Sequence, residues 1–247
     1  MNFNDAWVGL VVIVAGLVHG LIGLGFPMIA TPLIALTSDV RSAIVALLLP
    51  TMAINAVNII RGGNWGKSIG RFWLLALFGA LGSLLGTRIL VYTDPAPFRL
   101  LMAGVLFLYL AHHRLGIRMQ WVRRHTIAAS IGFGLLGGFL AGTVNVMVPA
   151  LIIFAIELRL APLVTVQVFN FCFLLGKLSQ GAVLASHGYV GQSEILHSLP
   201  LAGAALAALW WGMRFRDRID AAVYRKWLKR ALAAIAILLI VQYFVGN

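Results

Sequence analysis

The sequence predicts an all-α integral membrane protein of about eight transmembrane segments, arranged as two inverted repeats that each open with a Gly/Pro-broken, re-entrant helix. Three observations predict this. Of 247 residues, 61% are hydrophobic and 11% charged, with a mean hydropathy of +0.96, whereas a soluble domain is roughly 45–50% apolar and about a quarter charged. The apolar residues fall into runs separated by short polar gaps. The glycine pattern and the gap composition recur in the second half of the chain. So much apolar surface has to face lipid.

The first run, 7–36, is longer than the roughly 20 residues that cross a bilayer. It is interrupted at Gly20-Leu21-Ile22-Gly23-Leu24-Gly25-Phe26-Pro27, where the glycines permit unwound backbone and Pro27 lacks a donor. Its parts, 7–22 and 26–36, would be about 24 and 16 Å long as helices. Runs 42–60, 72–91 and 97–111 complete the first half. Run 126–156 opens the second half with the same excess length, broken at Gly142-Thr143-Val144-Asn145-Val146-Met147-Val148-Pro149, and runs 162–185, 195–213 and 221–245 follow. GNWGKS at 63–68 and GYVGQS at 188–193 lie 125 positions apart, each after the second run of its half. The chain therefore divides into a first transmembrane repeat at 1–112, a basic cytoplasmic linker at 113–125 and a second repeat at 126–247, a duplication common among transporters.

Charge sets the expected topology. Arg61, Lys67 and Arg71 follow the second run, Arg114, Arg118, Arg123 and Arg124 occupy the centre, and seven basic residues lie between Arg214 and Arg230. If every run crossed once, the last two clusters would lie on opposite sides, against the positive-inside rule. Re-entrant first and fifth runs remove the conflict: each half crosses three times, and both termini are expected in the periplasm of a bacterial inner-membrane protein. The N-terminus lacks the positive region of a cleavable signal peptide. The formal charge of +12 is read as topology signalling, so no nucleic-acid partner is expected.

Two broken hairpins from inverted halves would meet near the midplane, where half-helix N-termini attract anions. The competing reading of Gly16 and Gly20 is close helix packing. All seven acidic residues fall at run ends or in gaps, which disfavours a cation site. Lys177 lies inside its run without an acidic neighbour, and is read either as the partner of an anionic substrate or as a side chain snorkelling to the interface. Gln167, Asn170 and Lys177 recur at helical spacing, as do Thr51, Asn55 and Asn58. The candidate substrate-binding set is thus Gly23, Gly25, Thr51, Asn55, Asn58, Thr143, Asn145, Gln167, Asn170 and Lys177, with interhelical hydrogen bonding as the alternative for each. His19, in the first broken run, is a candidate coupling residue or a packing histidine.

Cys172 is the lone cysteine and His112-His113 has no carboxylate or thiol neighbour, so no metal or cofactor is expected. A rhomboid-type protease would need a serine nucleophile with a base, and no GxSxG is present. The reading is therefore a secondary transporter of a small anion working by alternating access. The alternatives are a non-transporting assembly or scaffold protein and an anion channel. Expected partners are a small anionic substrate and membrane lipid, with a homodimer left open.

The glycine motifs Gly16, Gly20, Gly23, Gly25 with Pro32, and Gly134, Gly138, Gly142 with Pro149, together with the two Gly-containing turns, resemble the sulfite exporter TauE/SafE family of sulfonate permeases over essentially the whole chain. The resemblance implies export or uptake of sulfite, an organosulfonate or a related organic anion. The family motif usually runs through consecutive glycines, where this chain has Gly-Leu-Gly-Phe-Pro and Thr-Val-Asn-Val.

Overall fold

A computed structural model describes the backbone of residues 3–63, 65–115, 119–215 and 221–245, and the side chains within these stretches except at 3–4, 112–115 and 221–228. His112, His113, Arg114, Arg118 and part of the 214–230 cluster therefore lie outside the described side chains. The described residues are helical, with no strand among them.

Helix α1 (Phe3–Ile22) ends where Gly23 and Gly25 take φ values of +85° and +101°, a left-handed region that a side chain disfavours. Helix α2 (Phe26–Ala35) restarts with Pro27 in its first turn, where a missing N–H costs nothing. It doubles back along α1, since Trp7 Nε1 donates to the Leu33 carbonyl at 3.3 Å. Helices α3 (Val40–Ala46) and α4 (Leu48–Arg61) meet at a 51° bend, where Pro50 cannot donate to the Ala46 carbonyl. A π-helical turn, Gly66–Gly70, leads into α5 (Arg71–Tyr92), followed by α6 (Pro97–Leu115).

The short α7 (Gln120–Arg124) precedes α8 (Thr126–Val144), which stops at Asn145 in the left-handed conformation, φ 61°. Helix α9 (Val148–Glu157) carries Pro149 in its first turn. It returns to the start of α8: the Met119 N–H donates to the Glu157 carboxylate at 2.9 Å and Arg123 Nε to the Glu157 carbonyl. Helices α10 (Pro162–Ser186), α11 (Gln192–Phe215) and α12 (Ala221–Val245) complete the chain. Both long runs are thus two helices folded back at a break.

Among the described residues, five stretches are long and apolar enough to cross a membrane: Asp5–Ile22, Gly66–Tyr92, Thr126–Val144, Pro162–Ser186 and Gln192–Phe215, with bent α3–α4 a sixth. That is fewer than the expected eight: run 97–111 appears as a shorter apolar helix and α12 is not among these stretches, while α2 and α9, at ten residues each, reach only about 15 Å, half the hydrocarbon thickness.

Helix α5 packs on α8, and α1 on α11. A Cβ added to Gly134, Gly138 or Gly142 would stand 2.6, 2.0 or 2.3 Å from the carbonyl oxygen of Leu75, Gly79 or Ser83, so α8 and α5 run parallel in backbone contact. Gly16 and Gly20 meet Ala205 and Leu209 in the same way. These glycines are helix-packing contacts. Helices α4 and α10 run antiparallel, with Gly181 facing Leu48 and Met52, and Gln167 bonded to the Ile59 carbonyl.

The bundle has two chemically distinct ends. At one, Arg41 donates to the Leu90 and Thr93 carbonyls and to the Tyr189 hydroxyl, Arg99 to the Ser38 carbonyl, and Gln242 to the Leu36 carbonyl. Leu36 and Gln242 bring the return of the first hairpin beside the end of α12. Arg61, Lys67, Arg71, Arg123 and Arg124 lie at the helix boundaries of the other end. Asp39 caps α3, accepting from the Arg41 and Ser42 N–H groups at 2.8 and 3.1 Å and from the Ser42 hydroxyl. Burial opposes its ionisation, but the hydrogen bonds from Ser42 and Arg41 outweigh it and hold the carboxyl below its usual value. A depressed folded pKa stabilises above the unfolded pKa, and the contribution is lost as pH falls through the folded value. Asp39→Ala is expected to lower stability by about 1 kcal/mol near neutral pH and to have little effect in acid, measured as the pH profile of thermal unfolding in detergent.

Candidate functional site

The two breaks approach each other inside the bundle. Asn145, at the second, donates through Nδ2 to the Thr31 hydroxyl of α2 at 2.7 Å. Beside this link is a small cavity of about 20 Å³. Pro27 and Met28 line it from the first turn of α2, Met147 and Val148 from the start of α9, and Thr51, Ser83, Phe173, Lys177 and Gln180 from the helices around them. The first N–H groups of a helix lack intrahelical acceptors, and the aligned dipoles place positive potential there. Two helix N-termini and one lysine thus share a cavity.

Lys177 is 4% exposed, so its side chain does not reach an interface. No carboxylate pairs with it among the described residues; its ammonium donates to Gln180 Oε1 at 2.5 Å. Burying a cation without a counter-charge is unfavourable. The neighbouring polar groups add to the imbalance: the Thr51 hydroxyl and both amide atoms of Asn55 are fully buried without a hydrogen-bond partner. Each such group costs about 1–3 kcal/mol.

The other sequence candidates are dispersed. Phe26 N–H donates to His19 Nδ1 at 3.1 Å, and His19 Nε2 lies 2.9 Å from the Asn58 amide. Asn170 Nδ2 donates to the Gly23 carbonyl at 3.1 Å. His19, Asn58 and Asn170 therefore hold the first break from α1, α4 and α10. Gly25 forms the turn into α2, and Gly23 packs against Val166. Gln167 lies towards the basic end, donating to the Ile59 and Gly63 carbonyls and accepting from Ser68. Thr143 donates to the Phe139 carbonyl of its own helix. Of the candidates, Thr51, Asn145 and Lys177 line the cavity.

Two polar lining side chains, Ser83 and Gln180, were not among the sequence candidates. Gln180 lay in the same polar run as Lys177, three positions on, so its spacing was a usable signal. Ser83 had none: its hydroxyl donates to the Gly176 carbonyl at 2.8 Å, a contact created by the meeting of α5 and α10. A wider groove of about 520 Å³ opens at the end holding Arg41, Tyr189, Glu194 and His197. Cys172 is buried and free.

The family model described as sulfite exporter TauE/SafE matches residues 8–243, nearly the whole chain. No curated protein and no solved structure matches.

Proposed function

The chain belongs to the sulfite exporter TauE/SafE family, and we propose that it is a secondary transporter that carries a small anion, a sulfite-like oxyanion or short organosulfonate, bound at the cavity between the two helix breaks. The observation that carries this reading is the buried ammonium of Lys177, without a carboxylate partner among the described residues, beside the first turns of α2 and α9. An anion there would supply the missing counter-charge and accept from the helix N-termini. Asn145 and Thr51 are the further contacts, and the unpartnered amide of Asn55, one turn from Thr51, supports a polar occupant close by.

The transport cycle follows from the cavity's size. About 20 Å³ is room for about one water, so an anion enters only when helices part, and this arrangement is the occluded member of an alternating-access pair. Two inverted halves, 1–112 and 126–247, supply the moving parts. Supporting this, α1 runs beside α11 while α8 runs beside α5, and each hairpin returns to the end from which it enters. On the positive-inside rule the end with Arg61, Lys67, Arg71, Arg123 and Arg124 is cytoplasmic and both termini are periplasmic, with the wide groove as the outer vestibule.

The test is anion flux in proteoliposomes across sulfite, sulfoacetate, taurine and sulfate. Saturable flux of at least one is expected, and flux of none overturns the reading. A linear, non-saturating flux would instead mark a channel.

A further inference from the structure

The polar group that touches both Lys177 and the second helix break is Gln180. It is 1% exposed and its amide is fully committed. Oε1 accepts from the Lys177 ammonium at 2.5 Å, while Nε2 donates to the Gly142 and Ala141 carbonyls at 3.1 and 3.2 Å. Only one orientation of the amide works. Turned over, it would set an acceptor against two carbonyls and a donor against an ammonium.

The two carbonyls lie in the last turn of α8. Ala141 is served by the Asn145 N–H. In an uninterrupted helix Gly142 would accept from the N–H of Val146, but past the left-handed Asn145 that N–H turns to the Leu140 carbonyl. The break thus leaves a carbonyl short of its donor where no bulk water is available. Gln180 supplies one, and the longer contact from the Thr87 hydroxyl, 3.4 Å, is the other.

We infer that Gln180 is the positioning residue of the anion site: it aims the Lys177 ammonium into the cavity and ties that ammonium to the backbone of the second break. The inference rests on the transporter reading above and adds a part to it. An ammonium has three donors, so Lys177 can hold Gln180 and an anion together. Charge arriving at Lys177 is then transmitted through one side chain to the turn between α8 and α9. The first break has no such link, since His19, Asn58 and Asn170 hold it without touching the lysine. The two hairpins are therefore unequal: both present a helix N-terminus to the cavity, but only the second is tied to the Lys177 side chain.

The experiment is a double-mutant cycle in proteoliposomes with Gln180→Met and Lys177→Arg, using sulfite or whichever tested anion the wild type carries. Gln180→Met keeps the side-chain volume while removing both links, and Lys177→Arg keeps the charge while changing its reach. Gln180→Met alone is expected to raise KM about tenfold or more. In the Lys177→Arg background, already misaligned, it should raise KM by less than about threefold, because interacting residues are not additive. Gln180→Glu gives Lys177 a permanent carboxylate partner and is expected to raise KM further than Gln180→Met. A residue that merely capped α8 would lower the maximal rate and the unfolding temperature equally in both backgrounds and leave KM in place. Equal effects in both backgrounds overturn the inference while leaving the transporter reading intact. Absence of flux in the wild type overturns the transporter reading, and this inference with it.

Discussion

Replacing Lys177 by Met is expected to cut anion flux by about 100-fold or more while leaving the protein at least as stable. Truncating one member of a buried, hydrogen-bonded charge pair costs about 2–5 kcal/mol in binding, and on the proposed reading the second member is the substrate itself. The effect on the substrate-free protein runs the other way. The ammonium is 4% exposed and meets a neutral amide rather than a carboxylate, and exchanging a buried charge for an apolar group of similar volume is often neutral or stabilising. Gln180 Oε1 loses its donor, which offsets part of the gain. Flux and the detergent unfolding temperature should therefore separate. Unchanged flux would remove Lys177 from the site. Lost flux with a lower unfolding temperature would make the lysine a structural residue instead.

Lys177 also marks the boundary of what the sequence reveals. Its position inside a long apolar run flagged it, but a lysine about nine residues from a run end can bury or snorkel. Only the packing of α10 against α4, α5 and α8 decides between these. The hairpins were legible because a residue that tolerates left-handed φ followed by proline in a first turn is a local signal, and Gly25-Phe26-Pro27 and Asn145 with Val148-Pro149 carry it within a few residues. The polar stripes were not. Gln167 and Lys177 share a helix face, yet ten residues separate them, about 15 Å along the axis. Gln167 consequently serves the Gly63 turn while Lys177 serves the cavity. Helical periodicity identifies a face, whereas a site is also set by depth. Ser83 illustrates the same limit from the other side, since its partner Gly176 lies 93 positions away.

Depth in this bundle is set by the glycine contacts, and Gly138→Ala is expected to damage the protein more than any surface change. The added Cβ would stand 2.0 Å from the Gly79 carbonyl oxygen and 2.7 Å from its carbon. Both are backbone atoms, so no side chain can rotate away and the two helices must separate. Overpacking of this kind costs about 1–3 kcal/mol, occasionally more, which for a chain of this size is a fall of about 2–12 °C in unfolding temperature. Gly104 and Gly132 are the controls. A Cβ at either meets nothing within 4 Å, and alanine should raise helix stability there by up to about 1 kcal/mol. The same displacement reaches the proposed anion site, because Gly138 lies one turn before the Gly142 carbonyl that Gln180 holds. Gly138→Ala protein that remains folded should therefore also show weakened flux, while Gly104→Ala keeps both. If Gly138→Ala unfolds no earlier than Gly104→Ala, the close α5–α8 contact is wrong, and with it the depth at which α8 presents its break to the cavity.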